Sequence, residues 1–308
     1  MQIFEVPPPA QGPSLALHGG AGGRVAELSP AGRERYAHGL LAAYQAGWQV
    51  LAAGGSALDA VCASVEVLED DPLFNAGRGA ALTATGQAEL DASVMTGAGL
   101  AGAVAAARYA RNPVRLARAV MEQTEHVLIV APDAGFVERY GLDVVEPGYF
   151  VTEERQRQLK RVLDERAVVS GEAARHGTVG ATARDGAGRV AAATSTGGMA
   201  GQADGRVGDS PIVGAGVYAR DGVAAVSCTG HGEAFMRGLV AYDVAARIRY
   251  AGADLSAAVW DTFEQELTQR GSTGGLVAVG GDGCVVVAHN SPMMFSARGT
   301  SPEPALTL

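Results

Sequence analysis

The run His176-Gly177-Thr178-Val179-Gly180 is followed, across the short span Asp185-Gly186-Ala187-Gly188, by Thr194-Ser195-Thr196-Gly197-Gly198-Met199. The residues flanking that span predict two strands, Val179 to Arg184 and Arg189 to Ser195, joined as a hairpin. Strands pairing antiparallel about a centre near residue 187 put Thr178 opposite Thr196, with Cβ atoms ~5 Å apart, and the turn type sets the final register. A flexible glycine before a threonine that opens a strand is what a chain needs if it is to cut itself and use the new terminal threonine as a nucleophile. Two facing hydroxyls at the open end of a hairpin also follow from β-propensity alone.

Two further clusters lie downstream. Gly205-Arg206-Val207-Gly208-Asp209-Ser210-Pro211 sets a guanidinium and a carboxylate three residues apart in a loop. They read either as a salt bridge or as a clamp for a zwitterion, arginine gripping a carboxylate bidentately and aspartate holding an ammonium. Ser227-Cys228-Thr229-Gly230-His231-Gly232-Glu233 is a strand ending in glycines where a helix begins. It is either a plain strand-to-helix turn or a place where free N–H groups and a threonine hydroxyl stabilise an oxyanion.

Upstream, Ser14 to His18 reads as a buried strand running into Gly19-Gly20-Ala21-Gly22-Gly23. Ser29-Pro30 opens a helix to about Ala53, and Ser56 with Asp59 caps a second one. Asp70 to Gly79 is a loop whose apolar residues fold back onto the structure. Ala81 to Thr85 and Glu89 to Met95 are expected to form a hairpin, and Gly102 to Tyr109 and His126 to Ala131 strands. Pro113 to Glu122, Asp133 to Tyr140 and Glu153 to Leu163 read as helices. Arg155 to Arg175 is the candidate exposed linker, its first half helical in composition, with Lys160 and nearby arginines on a solvated face. After the hairpin come strands at Ile212 to Ala219 and Val223 to Cys228, then helices at Glu233 to Tyr250 and Leu255 to Leu267. Strands at Leu276 to Val279, Cys284 to His289 and Met293 to Ala297 end the series. Strands and helices in blocks favour an α+β fold, antiparallel sheets covered by helices, in one domain over 1–308.

Composition narrows the function. Net charge is −9, without a dense basic patch, which argues against a nucleic-acid partner. No apolar run approaches the ~20 residues of a membrane span. Met1 to Pro9 lacks the basic and apolar parts of a secretory signal, and Cys62, Cys228 and Cys284 are too scattered for a disulfide framework or a zinc site, so a cytoplasmic location is expected.

In their order and spacing, Gly177 to Gly180, Ser195 to Met199, Gly205 to Pro211 and Cys228 to Glu233 resemble the plant-type asparaginases, also called isoaspartyl peptidases. His18 to Gly22, Pro72 to Gly77 and Leu90 to Met95 extend the resemblance to roughly residues 14–298. It implies an N-terminal-nucleophile hydrolase with an αββα four-layer sandwich, self-cleaved between Gly177 and Thr178 into chains of 177 and 131 residues. Thr178 would then supply the nucleophilic hydroxyl and, through its new α-amine, the base. The resemblance further implies that Thr196 assists Thr178 and that Asn75 supports it. Arg206 and Asp209 would hold the substrate's α-carboxylate and α-amino group, and Thr229 with the Gly230 N–H would form the oxyanion hole. His231 lies on the substrate side and shapes the pocket; His18 and His126 read as structural. No cofactor is expected for catalysis. A structural Na+ is expected among backbone carbonyls of the 68–78 loop, with Leu68, Glu69, Asp71, Phe74, Ala76 and Arg78 as its residues. The implied substrates are small molecules, isoaspartyl dipeptides and L-asparagine, and the implied assembly is a homodimer of processed units. A glycosylasparaginase and an uncleaved, silent binder of aspartyl compounds are the competing readings.

Overall fold

The computed structural model describes residues 1–22, 28–168 and 177–308, with side chains 165–168 left aside. His176, Gly23 and the second half of the expected linker, Ser170-Gly171-Glu172 included, lie outside the described residues. In the first part of the chain, β1 (Gln2–Val6) and β2 (Ser14–Ala21) precede α1 (Pro30–Ala52) and α2 (Ala57–Asp70). Then come β3 (Leu90–Thr96), β4 (Ala101–Ala107), α3 (Pro113–Gln123), β5 (Leu128–Val130), α4 (Ala134–Arg139) and α5 (Glu153–Val168). The second part runs β6 (Thr178–Arg184), β7 (Val190–Thr196), β8 (Val217–Arg220), β9 (Ala224–Gly230), α6 (Gly232–Gly238), α7 (Val240–Ala251) and α8 (Leu255–Thr262). It closes with β10 (Gly274–Gly280), β11 (Val285–His289), β12 (Met294–Gly299) and β13 (Ala305–Thr307).

The fold is mixed α+β. Among the described residues one sheet has the order β13-β12-β2-β6-β7-β3-β4-β5, and the other β1-β11-β10-β9-β8. All neighbours are antiparallel except β4 and β5. Both faces of the central strands are buried, and alternate side chains join different cores. Leu15 and Leu17 of β2 cluster with Leu40, Tyr44, Val61 and Val65 of α1 and α2. Ala16, between them, clusters with Val277 and Val287 of the other sheet. On that sheet Val226 and Leu276 meet Phe235, Val244 and Val259 of α6 to α8. This two-sided burial explains why the strands read as nearly continuous apolar runs.

Helix starts follow their caps: Ser29 Oγ accepts from Gly32 N–H at 3.1 Å, and Ser56 Oγ from Asp59 N–H at 3.1 Å. Four expectations are corrected. Ala81 to Thr85 forms no strand but one bridge, Leu82 with Ala88, because the 200s loop takes its backbone groups: Gly201 N–H donates to Leu82 O and Ala84 N–H to Gln202 O, both at 2.7 Å. The expected strand at Ile212 is a turn up to β8, with Ile212 N–H bonded to Asp209 O and Ala215 N–H to Ile212 O. The helix expected from Glu233 to Tyr250 breaks at Leu239, whose φ of 46° is left-handed. The helix expected to Leu267 stops at Thr262, and Phe263–Leu267 continues as a π-turn. The first half of the expected linker, helical in composition, lies in α5, as its reading as a helix had it. Among the described residues, no helix is long and apolar enough to cross a membrane.

Candidate active site

The register places Thr178 opposite Thr196 and Thr196 opposite Asp91, so three polar residues follow one another across β6, β7 and β3. Thr178, only 6% exposed, donates its hydroxyl to Thr196 Oγ1 at 3.1 Å. Thr196 Oγ1 also accepts Gly198 N–H at 3.0 Å, so its two lone pairs serve Thr178 and Gly198. On the other side, the Thr178 N–H donates to Thr229 Oγ1 at 3.3 Å, and the Ala21 N–H to the same oxygen at 3.2 Å. With two N–H groups already received, Thr229 has its own hydroxyl hydrogen left to donate. In β9, the Cys228 N–H bonds Gly216 O while the His231 N–H bonds Thr273 O. By that alternation the Gly230 N–H turns away from β10, beyond the start of β8.

His18 lies beneath Thr178. Its Nδ1 is 2.8 Å from the Thr178 carbonyl, which can only accept, so Nδ1 carries the hydrogen and Nε2 is the acceptor. Ser227 Oγ stands 3.0 Å from Nε2 and 2.7 Å from Thr194 Oγ1. Because Nε2 needs a donor, Ser227 gives it its hydroxyl hydrogen and His18 donates to Thr178 O; the Ala193 carbonyl stands 3.1 Å from Ser227 Oγ and the Gly216 carbonyl 3.1 Å from Thr194 Oγ1, completing the cluster. Burial pushes His18 down to about 3 against the pull of its bond to Thr178, so the ring is neutral at ordinary pH.

Arg206 and Asp209 do not form a salt bridge. Arg206 Nε and Nη2 each lie 3.0 Å from a carboxylate oxygen of Glu233, in the first turn of α6. Asp209 is buried, and its Oδ2 has no hydrogen-bond partner. Burial pushes it up to about 7, Arg206 opposing. The two groups converge on Gly232, where a Cβ would stand 2.9 Å from both Arg206 Nη2 and Asp209 Oδ1. His231 Nε2 is 3.2 Å from Glu233 Oε2, so this half-exposed histidine sits at the edge of the same cluster.

Asn75 makes no hydrogen bond to Thr178. It straps the loop after Thr196 instead, Nδ2 donating to Gly198 O at 2.7 Å and its carbonyl accepting Gly197 N–H at 3.1 Å. Its Oδ1 accepts Ala81 N–H at 2.6 Å. Behind that loop Glu69 is buried, with Oε1 accepting Ser195 Oγ–H at 2.6 Å and Val114 N–H at 2.9 Å and Oε2 unpartnered. Burial pushes it up to about 8, its hydrogen bonds opposing.

For the ion implied in the 68–78 loop, the chemistry of the donors is suitable. Glu69 O accepts Arg78 N–H at 2.7 Å and Asp71 O accepts Phe74 N–H at 3.1 Å, and each carbonyl keeps a second lone pair for a hard cation. Among the described residues no group of three or more His, Cys, Asp or Glu could hold a metal.

The structure thus brings Thr178, Thr196 and Thr229 into one hydrogen-bonded set, with Gly230 next in β9, and gathers Arg206, Asp209 and His231 around Gly232. Sequence reasoning missed Glu233 as the partner of Arg206, and Ser227 with Thr194 as the supports of His18. Glu233 was within reach, since a carboxylate in the first turn of a helix beside the clamp is a ready arginine partner.

A hydroxyl aligned by a second hydroxyl, together with an arginine beside a buried carboxyl, is equipment for hydrolysing an amide or ester bond. The chain belongs to the asparaginase family, whose match covers residues 11–306. It is 45% identical to the isoaspartyl peptidase of Salmonella typhimurium over 303 residues, 95% of this chain and 97% of that protein. Against the isoaspartyl peptidase of Escherichia coli it is again 45% identical, over 95% of this chain and 94% of the relative. The human isoaspartyl peptidase/L-asparaginase is 42% identical over 228 residues, 73% of each chain.

Proposed function

We propose that this protein is an isoaspartyl dipeptidase with L-asparaginase activity, activated by cutting itself between Gly177 and Thr178. The observation that carries the reading is the 3.1 Å hydroxyl pair of Thr178 and Thr196 at the first residue of β6, directly after a glycine. In the intact chain the Thr178 nitrogen is an amide and cannot serve as a base. Cleavage turns it into an α-amine with an ordinary pKa of ~7.7–8.0, usable near neutral pH. Thr178 Oγ1 then attacks the side-chain carbonyl carbon of the bound aspartyl unit, and the amine takes the hydroxyl proton. The C–N bond breaks, ammonia or the amino acid leaves with a proton, and water hydrolyses the threonyl ester to release aspartate. Thr229 O–H and Gly230 N–H stabilise the oxyanion. Arg206 and Asp209 hold the α-carboxylate and α-ammonium.

On the same reading the whole chain is one domain of αββα sandwich type, supported by the three kinds of core described above. Processed units of 177 and 131 residues pair as a homodimer in the cytoplasm. Carbonyls of Leu68, Glu69, Asp71, Phe74, Ala76 and Arg78 would hold a structural Na+ that steadies the loop carrying Asn75.

Intact-mass analysis tests the central step. Fragments beginning at Met1 and Thr178 are expected from the purified protein, and one persistent chain from Thr178→Ala. Asparagine turnover by Thr178→Ala at the normal rate, or a wild-type chain that never divides, overturns the mechanism.

A further inference from the structure

The guanidinium of Arg206 has two edges that can each hold a carboxylate in fork geometry: Nε with Nη2, and Nη1 with Nη2. Glu233 fills the first, at 3.0 Å from both nitrogens. The second runs between two glycines. A Cβ on Gly208 would stand 2.9 Å from Nη1, and one on Gly232 would stand 2.9 Å from Nη2. Its polar contact is a long one, Nη1 to Gln202 Oε1 at 3.4 Å. Asp209 Oδ1 lies on that same side, across the Gly232 Cβ position. One edge of the arginine is therefore occupied by the protein's own carboxylate, and the other, bounded by Gly208, Gly232 and the long Gln202 contact, holds no carboxylate.

We propose that Glu233 is a positioning residue for substrate. Its carboxylate holds the Nε–Nη2 edge of Arg206 and thereby presents the Nη1–Nη2 edge, beside Asp209, to the α-carboxylate of the aspartyl unit. This rests on the reading of Arg206 as the carboxylate grip and adds the residue that aims it. Glu233 is itself placed by its position in the first turn of α6 and by His231 Nε2 at 3.2 Å. His231 thus acts on substrate through Glu233. A guanidinium without that partner keeps its charge but loses its direction.

The test compares self-cleaved wild type with Glu233→Ala and Glu233→Gln on L-asparagine. Two fragments on a denaturing gel establish that each variant folds and matures. Glu233→Ala is expected to raise KM about tenfold, the worth of one charge-assisted hydrogen bond, with kcat within about twofold. Glu233→Gln, which keeps one acceptor oxygen, recovers part of the loss. Added acetate refills the emptied edge in Glu233→Ala and lowers its KM, whereas in wild type it raises the apparent KM by competing for the open edge. A KM that stays or falls in Glu233→Ala overturns the proposal, because the carboxylate is then idle or a competitor for the substrate's place. Acetate acting alike on both enzymes also overturns it. Failure of the underlying clamp is read separately, as a wild-type KM in Arg206→Ala.

Discussion

Ser227 Oγ occupies the space where Gly180 would carry a side chain: a Cβ there would stand 2.0 Å from it. The same Cβ would be 2.6 Å from His18 Nε2 and 2.8 Å from the carbonyl oxygen of Ala193. The second glycine of the Gly177 to Gly180 motif is therefore the clearance for a polar relay that crosses between the sheets and ends on the Thr178 carbonyl.

Gly180→Ala should break that relay, because one of its three contacts is backbone and the other two are buried. The expected cost is about 1–3 kcal/mol of stability, typical of overpacking, together with slowed division of the chain. Thermal unfolding and a time course on denaturing gels check both. Unchanged melting and cleavage would show that the relay has room to move.

Thr196 is expected to act through its oxygen, which receives the Thr178 hydroxyl at 3.1 Å and the Gly198 N–H at 3.0 Å. Thr196→Ala removes the group that points the proposed nucleophile and should lower kcat on the order of 10²-fold, within the range of a positioned proton-transfer partner. Thr196→Ser keeps the oxygen and should retain most of the activity. Equal rates for the two variants would show that the methyl group, and not the oxygen, is what matters.

Much of this was legible in the sequence, for local reasons. The Thr178–Thr196 pairing follows from a short hairpin with one centre, and the caps of α1 and α2 from Ser29 and Ser56. What escaped was set by distant groups. The His18–Ser227 contact joins residues 209 positions apart, and nothing in either neighbourhood announces it. Ala81 to Thr85 has strand composition, yet its backbone groups are claimed by Leu82–Gly201 and Ala84–Gln202 bonds from another loop. The break at Leu239 is equally silent, since leucine favours helix and takes φ of 46° here against its preference.

Glu69 gives a stability signature. Burial raises its carboxyl from the ordinary 4.5 to about 8 in the folded state. A raised carboxyl favours the folded state below its unfolded pKa, and that contribution is lost as pH rises from about 4.5 to 8. Glu69→Gln keeps an acceptor for Ser195 and Val114 and does not titrate. The variant should therefore gain on wild type with rising pH, at about 1.4 kcal/mol per pH unit inside that window, and the difference should level off above it. Denaturant titrations at pH 5, 7 and 9 measure this directly, and a difference independent of pH would mean that Glu69 is already ionised in the fold.

Asp209 makes the matching prediction for catalysis. Its carboxyl is buried, pushed up to about 7, and has one oxygen without a partner. On the proposed clamp, an α-ammonium supplies the missing partner and favours the ionised form, so the enzyme must lose that proton before it grips the substrate well. kcat/KM for L-asparagine should therefore rise with pH through a step near 7, because this parameter reports ionisations of the free enzyme. The α-amine of Thr178 adds a second rising limb at higher pH, centred on its ordinary ~7.7–8.0. Asp209→Asn is isosteric and cannot ionise. It should lose the lower step, keep the upper one, and bind substrate about tenfold or more weakly, since an amide offers the ammonium no charge. Both steps surviving in Asp209→Asn would assign the lower one to another group, and Asp91, also buried and raised to about 7 beside Arg206, would be the next to replace.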